Sequence, residues 1–212
     1  MRLVVFGATG RIGRLIVKEA LARGHAVTAA ARDPARLDMA HDRLDRAAAD
    51  ATRAEDVARA AAGHDAVVSA VGPTEGDAVA IVVDAARALV SGARQAGVKR
   101  LVVGGGAGSL YVTPGVQLVD TPDFPAAWKP VALAHREALA IYREATDLEW
   151  TNVSPAALTE PGERTGRFRV GTDDLLVDKD GKSRISMEDF AIAIVDELER
   201  GLHKRLRITA AY

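Results

Sequence analysis

Three glycines at intervals of three residues, Gly7, Gly10 and Gly13, stand near the start of the chain between a short apolar run and a helical pattern. A strand, a tight turn and a helix in that order bring backbone N–H groups and the positive end of a helix dipole to a pyrophosphate. Spaced glycines also occur in ordinary turns, but the flanking strand and helix favour the phosphate interpretation. The segment predicts a dinucleotide site made of Gly7, Thr9, Gly10, Arg11, Ile12 and Gly13.

The end of the second predicted strand bears on which dinucleotide binds. Folds specific for NAD usually place a carboxylate there for the ribose 2′-hydroxyl, whereas this chain has Arg32. A guanidinium pairs bidentately with a phosphate, so the sequence favours NADP(H), with NAD(H) as the second choice. Arg11 would add a second cation near the same phosphate. The alternatives are that Arg32 is a solvated loop charge and that Arg11 is an exposed residue of the first helical turn.

Three further strand ends should face the same crevice, because ligands of open α/β sheets bind at the carboxyl ends of the strands. Asp50 would accept a hydrogen bond from the adenine amino group, or cap the next helix, or both. The small residues Ala70, Val71 and Gly72 would let backbone approach the cofactor. Ser154, Pro155 and Ala156 follow the sixth predicted strand and would wall the nicotinamide.

Three side chains are candidates for the chemistry: Ser109 after the fifth strand, His135 on the next helix, and Arg164 in a glycine-flanked loop. An imidazole can donate a proton near neutral pH, and a loop arginine could close over a substrate. His135 could equally be an ordinary surface or core histidine, and Arg164 an ordinary surface arginine. Hydride transfer belongs to the cofactor, so a protein acid is not essential.

These residues are positioned by alternating apolar runs and helical patterns, which predict a parallel sheet with helices on both faces. Asp33 should cap a helix that begins at Pro34, and Ser186 should cap the last one. Asp180-Gly181 predicts the turn of a hairpin over 175–185. The predicted strands cover 3–6, 25–31, 47–49, 65–72, 99–104, 148–153 and 206–210; the other helices cover 12–23, 54–62, 77–96, 126–146 and 187–198, and 114–125 is a loop.

The fold class that follows is α/β, a Rossmann-type doubly wound parallel sheet with a small C-terminal lobe made from the 175–185 hairpin and the last helix. A length of 212 residues is most simply one domain, 1–212. The net charge of -1 and the aromatic content of 4% give no support for nucleic acid or an anionic membrane as a partner.

The chain has no cysteine, which excludes disulfides, thiolate catalysis and zinc–thiolate sites, and we expect no metal site. No apolar run reaches the ~20 residues of a membrane span, and Met1-Arg2 leads directly into the first strand without a signal-peptide pattern. We therefore expect a cytoplasmic protein whose partner is a small-molecule acceptor; the sequence leaves its oligomeric state open.

The motif Gly7-Ala8-Thr9-Gly10-x-x-Gly13 resembles that of the extended and atypical short-chain dehydrogenases/reductases, which bind NAD(H) or NADP(H). Typical members use a serine after the fifth strand and a Tyr-x-x-x-Lys pair on the next helix. Ser109 matches that serine. The helix after it contains no Tyr-x-x-x-Lys, so the usual proton donor is missing.

The runs 105–110, 148–157, 161–166 and 183–191 look like those of the bacterial NADH-flavin reductases, a group similar to the NADPH-using biliverdin-IXβ/flavin reductases. His135 approximately matches a histidine of that group, with a one-residue shift in the turn before Leu148. The resemblance implies an NAD(P)H-dependent reductase of a flavin-like or other planar conjugated acceptor. The alternative is a non-catalytic NADP(H)-binding sensor. A third possibility, an isomerase or epimerase with tightly held NAD, is disfavoured by the missing Tyr–Lys pair.

Overall fold

The computed structural model describes residues 1–74 and 76–212 and has alternating strands and helices. The helices are α1 Arg11–Ala22, α2 Ala54–Ala61, α3 Ile81–Gln95, α4 Lys129–Glu144 and α5 Met187–Arg200. The strands are β1 Arg2–Phe6, β2 Ala26–Ala31, β3 Leu44–Ala48, β4 Ala66–Ser69, β5 Arg100–Gly104, β6 Tyr111–Thr113, β7 Val116–Gln117, β8 Glu149–Ser154, β9 Leu158–Glu160, β10 Arg169–Gly171, β11 Arg184–Ser186 and β12 Leu206–Ala211.

The main sheet runs in the order β3-β2-β1-β4-β5-β8-β12-β10. Its strands pair in parallel except for β10, which lies antiparallel to β12 at one edge. The strand order reverses between β1 and β4, and this reversal opens a crevice at their carboxyl ends. The predicted Rossmann-type doubly wound fold is confirmed.

Alternating side chains of the central strands build one core on each face of the sheet. Leu3 and Val5 of β1 pack with the apolar faces of α1 and α5. Val4 and Phe6 point the other way and pack with α2, α3 and α4. All four side chains are fully buried. A strand buried on both faces reads as a continuous apolar run, which is why the sequence pattern located β1 correctly.

Several predicted boundaries were wrong, and each has a local cause. Asp33 does accept a hydrogen bond from the Ala35 N–H (3.2 Å), but only a 3₁₀ turn, Pro34–Arg36, follows. The Arg46 guanidinium donates to the carbonyls of Leu37 and Met39, so these carbonyls do not accept from the N–H groups of a continuing helix. The strand predicted over 47–49 is β3, which begins earlier.

The long helices also start later than predicted. Residues 77–80 lie outside α3, and the Asp77 carboxylate accepts hydrogen bonds from Thr74 instead. A 3₁₀ turn, Ala126–Trp128, precedes α4. At α5 the prediction is confirmed, because the Ser186 hydroxyl accepts from the Asp189 N–H at 3.0 Å.

The predicted hairpin over 175–185 was wrong. One carboxylate oxygen of Asp178 accepts hydrogen bonds from the N–H groups of Asp180 and Lys182 (2.9 Å each). This makes a tight polar turn without a strand ladder. The strand that follows, β11, pairs in parallel with β9. The small lobe is thus the β9–β11 pair, while α5 packs beside α1 on the main sheet.

A buried ion pair ties α5 to the sheet far from the crevice. Arg100 Nη2 of β5 lies 2.7 Å from Glu197 Oε1 of α5, and both side chains are almost fully buried. Arg100 Nη1 also donates to the Thr151 hydroxyl (2.7 Å), and the His203 N–H donates to Glu197 (3.0 Å). Desolvation lowers the pKa of Arg100, opposed by the adjacent carboxylate. Within the described residues no helix is both long and apolar enough to span a membrane.

Candidate functional site

The three glycines of the opening turn have different structural tasks. Gly7 has φ +74°, and a Cβ there would lie 2.7 Å from the Ala70 carbonyl oxygen. A Cβ on Gly13 would lie 2.0 Å from the Gly7 carbonyl oxygen, so α1 can pack here only through a glycine. A Cβ on Gly10 would meet a single described atom within 4 Å, the Gly7 oxygen at 3.2 Å. Gly7 and Gly13 are thus required by the fold, whereas a Cβ on Gly10 would need only the Gly7 oxygen to shift by a few tenths of an ångström.

The N-terminus of α1 is left available to an anion. The first N–H groups of any helix lack acceptors within that helix. Among the described residues no side chain caps α1, and its first turn contains no acidic residue. The N-terminus of α5, by contrast, is capped by Ser186 and has two acidic residues in its first turn. The Arg14 guanidinium braces the turn by donating to the Thr9 carbonyl (3.1 Å).

One cleft joins this turn to the ends of β2, β3 and β4. Eight of the predicted cofactor residues line it: Gly7, Thr9, Gly10, Arg32, Asp50, Ala70, Val71 and Gly72. Thr52, Thr74, Asp77 and Ile81 line it as well. Ile12 is half-buried and packs with the core beside α1, Gly13 is buried under the turn, and the Arg11 side chain is exposed. The cleft therefore brings the glycine turn and the three strand ends together.

Arg32 and Asp50 lie in this cleft with partners that the sequence did not indicate. Both terminal nitrogens of Arg32 donate to the Asp77 carboxylate, at 2.9 and 3.1 Å. Asp50 accepts from the N–H and the hydroxyl of Thr52, at 2.9 and 2.7 Å. The N-cap of α2 is Arg53, so Asp50 makes a side-chain turn and is not the helix cap proposed as its alternative role.

Ser154, Pro155 and Ala156 lie at the carboxyl end of β8, beside the end of β5. The Gly105 N–H donates to the Val153 carbonyl at 2.8 Å, which holds the two strand ends together. Ser154 is buried and donates to the Asn152 side chain at 3.4 Å. This segment does not line the Arg32 cleft; it is on the other side of β4 along the sheet, where the nicotinamide end of an extended dinucleotide would lie.

His135 lies on α4 against the strand end of β5. A Cβ on Gly106 would be 2.9 Å from the His135 Cβ, so the ring is held close to the backbone there. Burial lowers the pKa of His135 from 6.5 to about 4, and the imidazole is therefore neutral at pH 7. This position fits the prediction that a residue of this helix borders the crevice. The lowered pKa does not fit the prediction that the imidazole donates a proton near neutral pH.

Two residues near His135 were missed from the sequence. Tyr142 and Asn152 line the same small cavity between α3, α4 and the sheet, together with Ser69 and Gly104. Burial raises the pKa of the Tyr142 hydroxyl. The spacing of seven residues between His135 and Tyr142 puts both on one helical face, and that signal could have linked them.

Ser109 and Arg164 have hydrogen-bond partners that are unrelated to the chemistry expected of them. The Ser109 hydroxyl is buried and accepts a hydrogen bond from Arg207 Nη1 at 3.1 Å. Arg164 makes a bidentate pair with Glu19 of α1, at 2.9 and 2.8 Å. Glu19 is two helical turns from the phosphate end of α1, so the structure does not bring Arg164 to the crevice. Arg164 is thus paired on the flank of α1, and its closing over a substrate stays a prediction.

Comparisons with known proteins agree with the cleft. Residues 7–200 match the model of a family described as NAD(P)H-binding. The uncharacterized protein YwnB of Bacillus subtilis (strain 168) is 40% identical over 212 residues, 99% of this chain and 97% of that protein.

Several solved structures are similar over the whole of this chain, and three of them follow. A Burkholderia pseudomallei protein, provisionally named an exported protein, is 53% identical with a TM-score of 0.91, and all of it is covered. A provisionally named epimerase of Bacteroides thetaiotaomicron is 37% identical with a TM-score of 0.91 and 96% coverage of that chain. A provisionally named NADH-flavin reductase of Streptococcus pneumoniae TIGR4 is 35% identical with a TM-score of 0.86 and 99% coverage.

Proposed function

Because this chain belongs to the NAD(P)H-binding family and fits the atypical short-chain dehydrogenases/reductases, we propose that it is a reductase of a flavin-like or other planar conjugated acceptor. The observation that carries the nucleotide part is the uncapped N-terminus of α1, which Gly10 precedes without a side chain. The flavin-like acceptor is supported by the name of the Streptococcus relative and by the sequence resemblance. NADP(H) is the preferred cofactor in this proposal, and NAD(H) is the second.

The residues present fit such a cofactor. The first-turn N–H groups of α1 would hold the pyrophosphate, and Arg32 and Asp50 would face the ribose and the adenine. Val71 and Gly72 would let the middle of the dinucleotide lie close to the backbone, and Ser154 to Ala156 would border the nicotinamide. The bound reduced nicotinamide supplies the hydride.

The residues around His135 suit an acceptor that needs little help from a protein acid. A neutral imidazole can donate one N–H to the acceptor and so orient it, but it holds no labile extra proton at pH 7. In this proposal His135 positions the acceptor and solvent supplies the proton. Ser109 acts indirectly, by fixing Arg207 under the neighbouring loop.

The test is nucleotide oxidation with a matched pair of variants. NADPH and NADH consumption would be followed at pH 7 with FMN, FAD, riboflavin and a quinone as acceptors. Gly10→Val puts a branched side chain where phosphate oxygens should lie, while the backbone there (φ -73°, ψ 169°) accepts any residue. Ala22→Val introduces the same side chain at an exposed position at the other end of α1 and serves as the control.

We expect turnover in the wild type and the control, and loss of nucleotide binding and turnover in Gly10→Val with the melting temperature little changed. Nucleotide binding without turnover on any acceptor would favour the sensor alternative. Failure of both nucleotides to bind the wild type would refute the cofactor assignment. We also propose that residues 1–212 form one domain and that the protein is cytoplasmic; cell fractionation tests the location against the name of the Burkholderia relative.

A further inference from the structure

The Arg32–Asp77 pair spans the cleft at the place where a dinucleotide's adenosine ribose would lie. Two nitrogens of the guanidinium donate to the two carboxylate oxygens, at 2.9 and 3.1 Å. The Asp77 side chain is only 12% exposed, whereas that of Arg32 is 60% exposed. Both residues line the cleft, and Asp50 lies close enough to add to the negative field on Arg32.

Asp77 is held in this position by a second set of bonds. The Thr74 N–H and hydroxyl donate to Asp77 Oδ2, at 3.1 and 2.6 Å. The hydrogen bonds from Arg32 and Thr74 keep the pKa of Asp77 well below its usual range, so its carboxylate stays charged at any physiological pH. The Asp77 carboxylate that pairs with Arg32 is therefore a fixed part of the cleft wall.

We propose that Asp77 sets the choice between NADP(H) and NAD(H) by occupying, on Arg32, the bidentate position that a ribose 2′-phosphate would take. A guanidinium fork presents one such pair of donors to a carboxylate or to a phosphate. A 2′-phosphate must displace Asp77, or lie beside it and Asp50 and be repelled by both. A 2′-hydroxyl leaves the pair intact and can donate a hydrogen bond to the Asp77 carboxylate.

The inference rests on the proposed nucleotide site and refines its cofactor preference: Arg32 recognises the 2′-phosphate and Asp77 limits how strongly it does so. The decisive variant is Asp77→Asn. The amide oxygen can still accept from Thr74, but the negative charge is gone and the amide N–H₂ cannot pair with Arg32. Asp84→Asn is the matched control, since it makes the same charge change on an exposed side chain of α3 whose nearest cation, Arg87, is 3.8 Å away.

The experiment is calorimetric titration of NADP⁺ and NAD⁺ into the wild type, Asp77→Asn, Asp84→Asn and the double variant Arg32→Ala/Asp77→Asn. We expect Asp77→Asn to raise NADP⁺ affinity by about three- to fivefold, the upper part of the range for removing one competing ion pair near the surface, with NAD⁺ affinity unchanged or somewhat lower. Asp84→Asn should leave the ratio of the two affinities within about twofold, since its charge is distant and screened. The double variant should lose the gain, because no guanidinium remains to take the phosphate.

Equal changes for both nucleotides in Asp77→Asn, or none, would overturn the inference while leaving the nucleotide site in place. A gain for NADP⁺ that persists in the double variant would also overturn it, because the effect would not run through Arg32. If neither nucleotide binds the wild type or the variants, the proposed cofactor site itself fails. A melting temperature measured for each variant separates these outcomes from unfolding.

Discussion

Acid should destabilise the wild-type protein more than the His135→Gln variant, by about 2 kcal/mol between pH 7 and pH 4.5. The cause is the buried imidazole, whose pKa falls from 6.5 to about 4 in the folded chain. Between these two values the unfolded chain binds a proton at residue 135 and the folded chain does not. The free energy of unfolding therefore falls as the pH falls through 6.5, and the loss levels off below about 4.

The magnitude follows from the two pKa values. At pH 4.5 the full shift corresponds to a loss of about 2.5 kcal/mol relative to pH 7. His135 keeps some solvent exposure, so we take about 2 kcal/mol as the expected difference. Glutamine retains hydrogen-bonding capacity and does not titrate. Carboxylates that titrate in the same range are common to both proteins and cancel in the comparison.

The assay is urea denaturation at pH 7, 5.5 and 4.5, followed by the fluorescence of the buried Trp150. His41→Gln, which removes an exposed histidine, is the control and should keep the acid sensitivity of the wild type. If wild type and His135→Gln lose the same unfolding free energy, within about 0.5 kcal/mol, the imidazole is not desolvated and the argument for a neutral His135 is refuted.

Three further outcomes are expected. Gly13→Ala should cost about 3 kcal/mol of stability, because its Cβ meets backbone at 2.0 Å, whereas Gly10→Ala should cost less than about 1 kcal/mol in the same melts. Glu197→Gln should cost roughly 3 kcal/mol in denaturant titrations, since it leaves the Arg100 guanidinium buried without a counter-charge; an unchanged midpoint would mean that water reaches the pair. Once an acceptor is known, His135→Gln should raise the acceptor KM more than it lowers kcat, and the wild-type kcat should not change between pH 6 and 8. A loss confined to kcat, by the factor of ~10²–10⁴ typical of a general acid, would instead make His135 the proton donor.

The sequence predicted the features that depend on neighbouring residues. Apolar runs located the central strands because both faces of each are buried, as in β1 and β4. The glycine spacing located the turn between β1 and α1 because Gly7 needs a positive φ and Gly13 a close backbone contact. The Ser186 cap was predictable since donor and acceptor are three residues apart. In each case the physical requirement is satisfied within one turn or one strand.

The sequence could not predict which charged side chains pair across the fold. Arg32 and Asp77 are 45 residues apart, and Arg164 and Glu19 are 145 apart. The local sequence pattern shows that such residues are polar, but it does not show which element will face them. The hairpin prediction failed for a related reason: Asp180-Gly181 does make a tight turn, but the chain after it finds a better partner in β9, 26 residues earlier, than in its own preceding segment.

The two kinds of error have different consequences for the site. Backbone forms the turn between β1 and α1 whatever charged pairs surround it, so the proposed nucleotide site does not depend on the side chains that were misjudged. The choice of cofactor and the chemistry do depend on them, because three of the charged or titratable candidates have their state set by a distant neighbour. Asp77 neutralises Arg32, Glu19 neutralises Arg164, and the packing around α4 removes the charge of His135. At the acceptor end, a neutral imidazole favours an acceptor that is held by shape and by single hydrogen bonds. That preference is what one expects for a planar conjugated ring, and an acceptor whose binding requires a protonated His135 would contradict it.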